Sequence, residues 1–354
     1  MKQSLIENSI EPLIYNAWYI AAWSDELTDQ IIGRTFLNQS VVIFRDDNGN
    51  VSALEDRCCH RGAPLTHGKR VKGGLECGYH GLIFNASGKC IEIPGQDNIP
   101  DEACVKAYPV VEKQHFIWIW MGDNKQADES KIIDFPYFSE QHLCPSKKGV
   151  MEIKANYMMG IDNLMDLTHV GYVHHKTIGG GDPKAHSNAD MKVTFTNRGV
   201  LMERWMLNCV PPPTFSRSVN FAGNIDRWQE FEFVPPSSVL QWSGGIDVGK
   251  KAIENRNQEG FHFRIVHSLT PKSESSYYYF FGIGHHHRVD DRQVTEDLYQ
   301  ENVDTFVEDT AIIEAQQKRL KEMPDRNLVT IKNDEAIVKC HTALRRFANG
   351  EKIN

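Results

Sequence analysis

The chain has 354 residues, 40% of them hydrophobic and 24% charged, an ordinary globular balance with room for two domains. A net charge of −8 argues against a nucleic-acid binder, which would show a basic face. Eight cysteines in a chain of this length do not make a disulfide scaffold.

Residues 1–12 read as a leader with acidic residues and no long apolar run, so neither a secretory signal nor a membrane anchor is expected. No stretch approaches the roughly 18 apolar residues that span a bilayer. A soluble, cytoplasmic protein follows as the expectation. A β-rich module comes next. The apolar run 17–23 is a strand, and 39–45 enters the turn Asp46-Asp47-Asn48-Gly49-Asn50 and returns as 51–54, a hairpin signal. A second hairpin is expected at 82–84 and 90–93 around Asn85-Ala86-Ser87-Gly88, and Phe116-Ile117-Trp118-Ile119-Trp120 closes the module. Short strands at short spacing predict a small all-β sandwich over residues 13–122. The polar stretch 122–128 reads as the boundary, and 123–354 as a second domain. There the pattern predicts a helix near 156–175, strands near 191–210, 227–243, 261–270 and 276–284, then helices over about 293–322 and 333–348. An antiparallel sheet covered by helices is an α+β architecture.

Inside the first module Cys58 and His60 form a C-x-H pair, and sixteen residues later Cys77 and His80 form C-x-x-H. Two thiolates with two imidazoles suit tetrahedral zinc or a Rieske [2Fe–2S] centre. Zinc fingers usually pair cysteines in one knuckle and histidines in another. Here each knuckle carries one of each, as two irons with different ligand sets require. Cys58 and Cys77 are assigned to one iron, His60 and His80 to the other; a structural zinc knuckle is the alternative. Cys59 reads as a small buried residue. Cys90, Cys104, Cys144, Cys209 and Cys340 are scattered, as reduced thiols would be.

A second constellation lies in 162–175. Asn163, Asp166 and His169 fall at i, i+3 and i+6, one stripe of a helix. His174 follows His169 by five residues, about 140° round an ideal helix, so both face one point only if the helix bends or ends near Gly171. Two imidazoles beside a carboxylate are the ligand set of non-haem Fe(II) oxygenases; two structural histidines are the bland alternative. The third ligand should be distant. In the segment 303–317 Phe306, Asp309 and Ile313 share one face, while Glu308 points about 100° away. A carboxylate on an apolar stripe is costly to bury unless paired or metal-bound, which favours Asp309 over Glu308, against a solvated or capping Asp.

These motifs resemble those of the Rieske non-haem iron oxygenases. The CxHRG…CxYHG signature stands as Cys58-Cys59-His60-Arg61-Gly62 and Cys77-Gly78-Tyr79-His80-Gly81. N-x-x-D-x-x-H-x₄-H stands as Asn163, Asp166, His169 and His174, and F-x-E-D…E-x-Q-Q as Phe306-Val307-Glu308-Asp309 and Glu314-Ala315-Gln316-Gln317. The wording Arg61-Gly62-Ala63-Pro64-Leu65 and His267-Ser268-Leu269-Thr270-Pro271 is similar to the vanillate O-demethylase, dicamba O-demethylase and toluenesulfonate methyl-monooxygenase group, from Trp18 to about Arg345. The resemblance implies an N-terminal Rieske domain and a helix-grip-like catalytic domain. It implies a [2Fe–2S] cluster and a mononuclear Fe(II) held by His169, His174 and Asp309. Asp166, beside Asn163, would be the bridging carboxylate to a neighbouring subunit's Rieske histidine.

It further implies head-to-tail homotrimers, O₂ as oxidant and a separate flavin and ferredoxin-type reductase drawing on NAD(P)H. No G-x-G-x-x-G follows a strand in this chain. The substrate implied is a small aromatic acid, hydroxylated at a methoxy or methyl carbon; a methoxy hemiacetal collapses to phenol and formaldehyde. His267 matches a substrate-contacting histidine, and by position Gln241 and Gln300 join it. Trp205, Phe215 and Trp242 are candidate aromatic walls. Ring or N-methyl hydroxylation at the same iron is the alternative. The non-enzyme alternative is a Rieske electron carrier, typically about 100–150 residues, which the residues beyond the first module oppose. Three consecutive residues cannot face one ion, so His285-His286-His287 reads as loop.

Overall fold

The computed structural model describes residues 11–135, 137, 146–256 and 259–354; Cys144 lies outside them. The chain divides into two compact units. One comprises Leu13–Asp134 with Thr270–Ser273. Its strands are β1 (Ala17–Trp23), β2 (Ile32–Phe36), β3 (Gln39–Arg45), β4 (Val51–Glu55), β5 (Lys69–Val71), β6 (Gly74–Glu76), β7 (Ile83–Phe84), β8 (Cys90–Glu92), β9 (Ala107–Tyr108), β10 (Val110–Lys113) and β11 (Phe116–Met121). They form three antiparallel sheets ordered β1-β11-β10, β2-β3-β4-β9 and β5-β6-β7-β8. Both expected hairpins are present, β3–β4 and β7–β8.

β1 and β11 are buried on both faces, so both read as continuous apolar runs. Two of their tryptophans donate to loop carbonyls: Trp18 Nε1 to that of Asp128 at 2.8 Å and Trp120 Nε1 to that of Asp123 at 2.9 Å. A second core gathers Val42, Phe44, Leu54, Leu65, Leu75, Leu82 and Phe84 around Cys58 and Cys77. Apolar packing thus anchors the base of both Cys/His loops.

The other unit comprises, among the described residues, 11–12, 135–269 and 274–354. Its sheet has the order β12-β18-β17-β16-β15-β14-β13, from β12 (Ser146–Ile153), β13 (Asp190–Phe195), β14 (Val200–Cys209), β15 (Ile225–Val234), β16 (Ser238–Asp247), β17 (Phe261–Ser273) and β18 (Ser276–His285). Helices Tyr157–Met165, Arg292–Glu322 and Glu335–Ala348 accompany it. This is the α+β arrangement expected. Among the described residues no helix is long and apolar enough to cross a membrane.

Three details differ from the sequence expectation. The runs 191–210 and 227–243 are each two strands: β13 and β14 fold back through a turn in which Thr196 N–H donates to the Gly199 carbonyl, and β15 and β16 are parted by Pro235 and Pro236, since proline lacks the N–H a ladder needs. The helix over 156–175 is broken at Asp166, whose backbone is extended. Its Oδ1 accepts from the Thr168 N–H at 2.8 Å and hydroxyl at 2.6 Å, a local bond that competes with helix continuation. A four-residue helix, Val170–Val173, and a π turn, His175–Gly179, follow. Finally, His285 is not loop: it ends β18, buried, bonded through Nε2 to Thr295 Oγ1 at 2.7 Å.

Candidate active site

The two Cys/His loops are built on one backbone frame. Cys58 N–H donates to the Ala63 carbonyl and Gly62 N–H to the Cys58 carbonyl, at 2.8 and 2.9 Å. Cys77 N–H donates to the Leu82 carbonyl and Gly81 N–H to the Cys77 carbonyl, at 2.8 and 3.0 Å. Each frame closes on a glycine in the left-handed region, φ 71° at Gly62 and 76° at Gly81, where a side chain would be strained. Cys58 and Cys77 are buried, whereas His60 and His80 are exposed, their rings 4.5 Å apart. Burial and the neighbouring Cys77 thiol push the Cys58 thiol up. Two thiols inside and two imidazoles at the surface are a donor set suited to a cluster with one thiolate-bound and one imidazole-bound iron. Cys59 is exposed rather than buried, turned out of the frame that draws Cys58 inward.

In the other unit His169, His174 and Asp309 bring one donor atom each within 4.8 Å of one another, the one such group among the described residues. The break at Asp166 makes this possible, because His169 leaves the first helix and caps the next turn, which carries His174 round. His169 Nδ1 lies 2.5 Å from the Asp166 carbonyl and His174 Nδ1 lies 2.7 Å from Glu308 Oε2. Both partners only accept, so both Nδ1 atoms carry the proton. The Nε2 atoms then aim lone pairs at Asp309 Oδ1, 3.4 Å from His169 and 2.9 Å from His174. Lone pairs facing a carboxylate oxygen call for added protons or a cation among them. The residues therefore fit a divalent metal. Asn163 Nδ2 donates to the same Oδ1 at 2.9 Å. Burial raises the Asp309 carboxyl, but, with protons on the facing imidazole nitrogens, His169 and His174 outweigh it and lower it to about 2.

This triad stands between two hollows. Asn163, His169 and Asp309 line a groove of about 490 Å³ with Asp162, Asp166, Ile312, Val329 and Asp334. They also line a smaller cavity, about 50 Å³, with Phe215, Arg227, Gln229, Phe231, Gln241 and His267. In that cavity His267 is wholly buried, with Nδ1 2.6 Å from Tyr279 Oη and Nε2 2.9 Å from Gln241 Oε1. Burial pushes its pKa down to about 3, so the ring is neutral.

A Rieske [2Fe-2S] domain model matches residues 17–109, and a vanillate O-demethylase oxygenase C-terminal domain model matches residues 153–350. The iron–sulfur subunit of the toluene-4-sulfonate monooxygenase system of Comamonas testosteroni is 38% identical over 96% of this chain and 98% of its own length. The chain belongs to the Rieske oxygenases. The vanillate O-demethylase oxygenase subunit of Pseudomonas sp. strain HR199 is 34% identical over 95% of both chains. A crystal structure of dicamba monooxygenase bound to 3,6-dichlorosalicylic acid superimposes with a TM-score of 0.87 at 30% identity, covering 96% of this chain and 98% of that one. This Rieske oxygenase is thus an oxidoreductase, the oxygenase component of a monooxygenase, with a [2Fe–2S] cluster and a mononuclear non-haem iron.

The oxygenase's expected substrate contacts separate. His267 and Gln241 line the cavity, bonded to each other. Gln300 does not: it is exposed on the long helix, its Nε2 donating to Asp304 Oδ1 at 2.8 Å, on a different face from Asn302, Thr305, Phe306 and Asp309. Phe215 is a wall, whereas Trp205 and Trp242 pack with Trp228 in a separate cluster. Glu308, Arg227 and Gln229 were missed. The available signal for the last two was a charged and an amide side chain two residues apart on one face of a buried strand.

Proposed function

We propose that this oxygenase hydroxylates a methoxy or methyl carbon of a small aromatic acid, releasing formaldehyde when the carbon is a methoxy. The observation that carries the reading is the triad's place as a wall between a larger groove and a smaller, aromatic-lined cavity. One face suits electron arrival, the other substrate. Residues 13–122 are taken as the Rieske domain and 123–354 as the catalytic domain. Cys58 and Cys77 would hold one cluster iron, His60 and His80 the other; His169, His174 and Asp309 would hold the mononuclear Fe(II). When bound, the two groups supply single-electron transfer and O₂-dependent hydroxylation.

The chain's own residues do the positioning. The Asp166 carbonyl and Glu308 fix the two imidazole tautomers, and Asn163 orients Asp309. Asp166 would bridge to a Rieske histidine of a second copy seated in the groove, within a head-to-tail homotrimer. Val329 and Ile312, 86% and 47% exposed at its rim, support such a covering. The cavity's phenylalanines offer an arene apolar walls, and at about 50 Å³ the cavity widens to admit one. Electrons would come from a separate flavin and ferredoxin-type reductase using NAD(P)H. The relatives named as a system's subunit and as oxygenase components support that division.

Anaerobic purification with iron and acid-labile sulfide assays tests the metal reading; about three irons and two sulfides per chain are expected. Formaldehyde release from methoxybenzoates, with a reductase supplied, tests the reaction. Two irons with two sulfides would restore the electron-carrier reading.

A further inference from the structure

Arg227 is 3% exposed and lines the cavity beside the metal triad. Its Nε has no hydrogen-bond partner, and among the described residues no carboxylate pairs with it. Its neighbour Gln229, also 3% exposed, has an unpartnered Oε1. The Phe215 ring covers the guanidinium at 5.2 Å. The other buried cation nearby, Arg204, spends its donors on the Leu167 and His186 carbonyls and brings no negative charge. A buried guanidinium without a counter-ion is among the costliest arrangements a core can hold. It is understandable where an anion arrives with the ligand.

Strand alternation puts Arg227, Gln229 and Phe231 on one face of β15, opposite Gly245, Ser243 and Gln241 of β16. Phe231 stacks on His267 at 6.4 Å. The polar floor of the cavity therefore runs from Arg227 to His267. At the His267 end both ring nitrogens are already engaged, by Tyr279 and Gln241, and the ring is neutral. At the Arg227 end the guanidinium is charged and its Nε is unpartnered.

We infer that Arg227, flanked by Gln229, is the anchor for the substrate's oxyanion, an aryl carboxylate or sulfonate, with His267 and Gln241 shaping the opposite wall. The inference rests on the aromatic-acid reading of this cavity. A guanidinium fork suits both oxyanions by two parallel N–H···O bonds, and a neutral substrate would leave the charge unanswered.

The test uses the metal-loaded protein and three probes: 4-methoxybenzoate, toluene-4-sulfonate and the neutral 4-methoxybenzamide, with binding followed by calorimetry. The wild type should bind at least one anion more than about tenfold tighter than the amide. Arg227→Met should weaken that anion about 100-fold and move the amide by less than about twofold. Without ligand this variant should melt at or above the wild-type temperature, since it removes an uncompensated charge; an arginine serving only structure would lower it. Arg227→Lys keeps the charge without the fork and should lose about tenfold for the anion. Loss for both anions assigns the anchor to oxyanions generally, and loss for one assigns it to that class. If the wild type prefers the anions and Arg227→Met or Arg227→Lys keeps wild-type anion affinity, the anchor is wrong while the aromatic-acid reading stands. If the wild type holds the amide as tightly as both acids, that reading falls and the anchor with it.

Discussion

A neutral imidazole has one N–H and one lone pair, so the acceptor that takes the N–H decides where the lone pair points. Glu308 does this for His174 and the Asp166 carbonyl for His169. Glu308→Ala should therefore lower affinity for the mononuclear iron by about 10–100-fold, read as iron lost to a chelator while the Rieske absorption stays unchanged. Asp166→Asn keeps the carbonyl that orients His169, so both metals should remain bound while turnover collapses. Turnover at the wild-type rate would remove Asp166 from the electron route. Asp309 was legible from the sequence because it shares a helix face with Phe306 and Ile313. Glu308 was not, since helical phase says where a side chain starts and not which ring it reaches. Arg227 was hidden for a related reason: positions 225, 227, 229, 231 and 233 of β15 are all buried, but Arg227 and Gln229 put polar side chains on that inward face and mask its apolar period.

The elements were easier to read than their ends. The β3–β4 hairpin and the long helix follow from turn residues and periodicity alone. The break at Asp166 follows from a side chain capturing the Thr168 amide, which no periodicity reports. The start of that helix rests on one residue. Asn156, fully buried, accepts from the Met158 N–H at 3.0 Å and donates through Nδ2 to the Glu11 and Glu274 carbonyls, each at 3.0 Å. Its own N–H donates to Gln317 Oε1 at 2.7 Å on the long helix. Asn156→Ala removes the cap and the donor that serves the buried Glu11 carbonyl, a loss of about 2 kcal/mol. Chemical denaturation of the purified protein measures it directly.

At the scale of the whole chain, His341 ties the beginning to the end. It is buried between Glu11 Oε1 at 2.8 Å and Asp162 Oδ1 at 2.9 Å, and Arg345 also reaches Glu11. Burial lowers its pKa, but the two carboxylates outweigh burial and raise it to about 10. Unfolded histidine titrates near about 6.5, so the folded state binds the proton more tightly. This contribution to stability is complete below about pH 6.5 and fades as pH rises towards 10. Melting temperature should fall across that window. His341→Leu should flatten the fall and, by leaving Asp162 without its cation and Glu11 with Arg345 alone, cost about 3 kcal/mol at neutral pH. No sequence pattern links residues 11, 162 and 341; only the fold brings them together.

The wall formed by Asn163, His169 and Asp309 has a practical consequence for redesign. The sheet contributes side chains to the cavity and none to the groove, which is lined by helices and the segment around Val329. If the cavity takes the substrate and the groove the electrons, as proposed, a library confined to Gln229, Phe231, Gln241, Ser243 and Phe263 should retune which molecule is accepted without disturbing how reducing power is delivered. New substrate scope and retained coupling become separate engineering problems, to be solved on opposite sides of one partition.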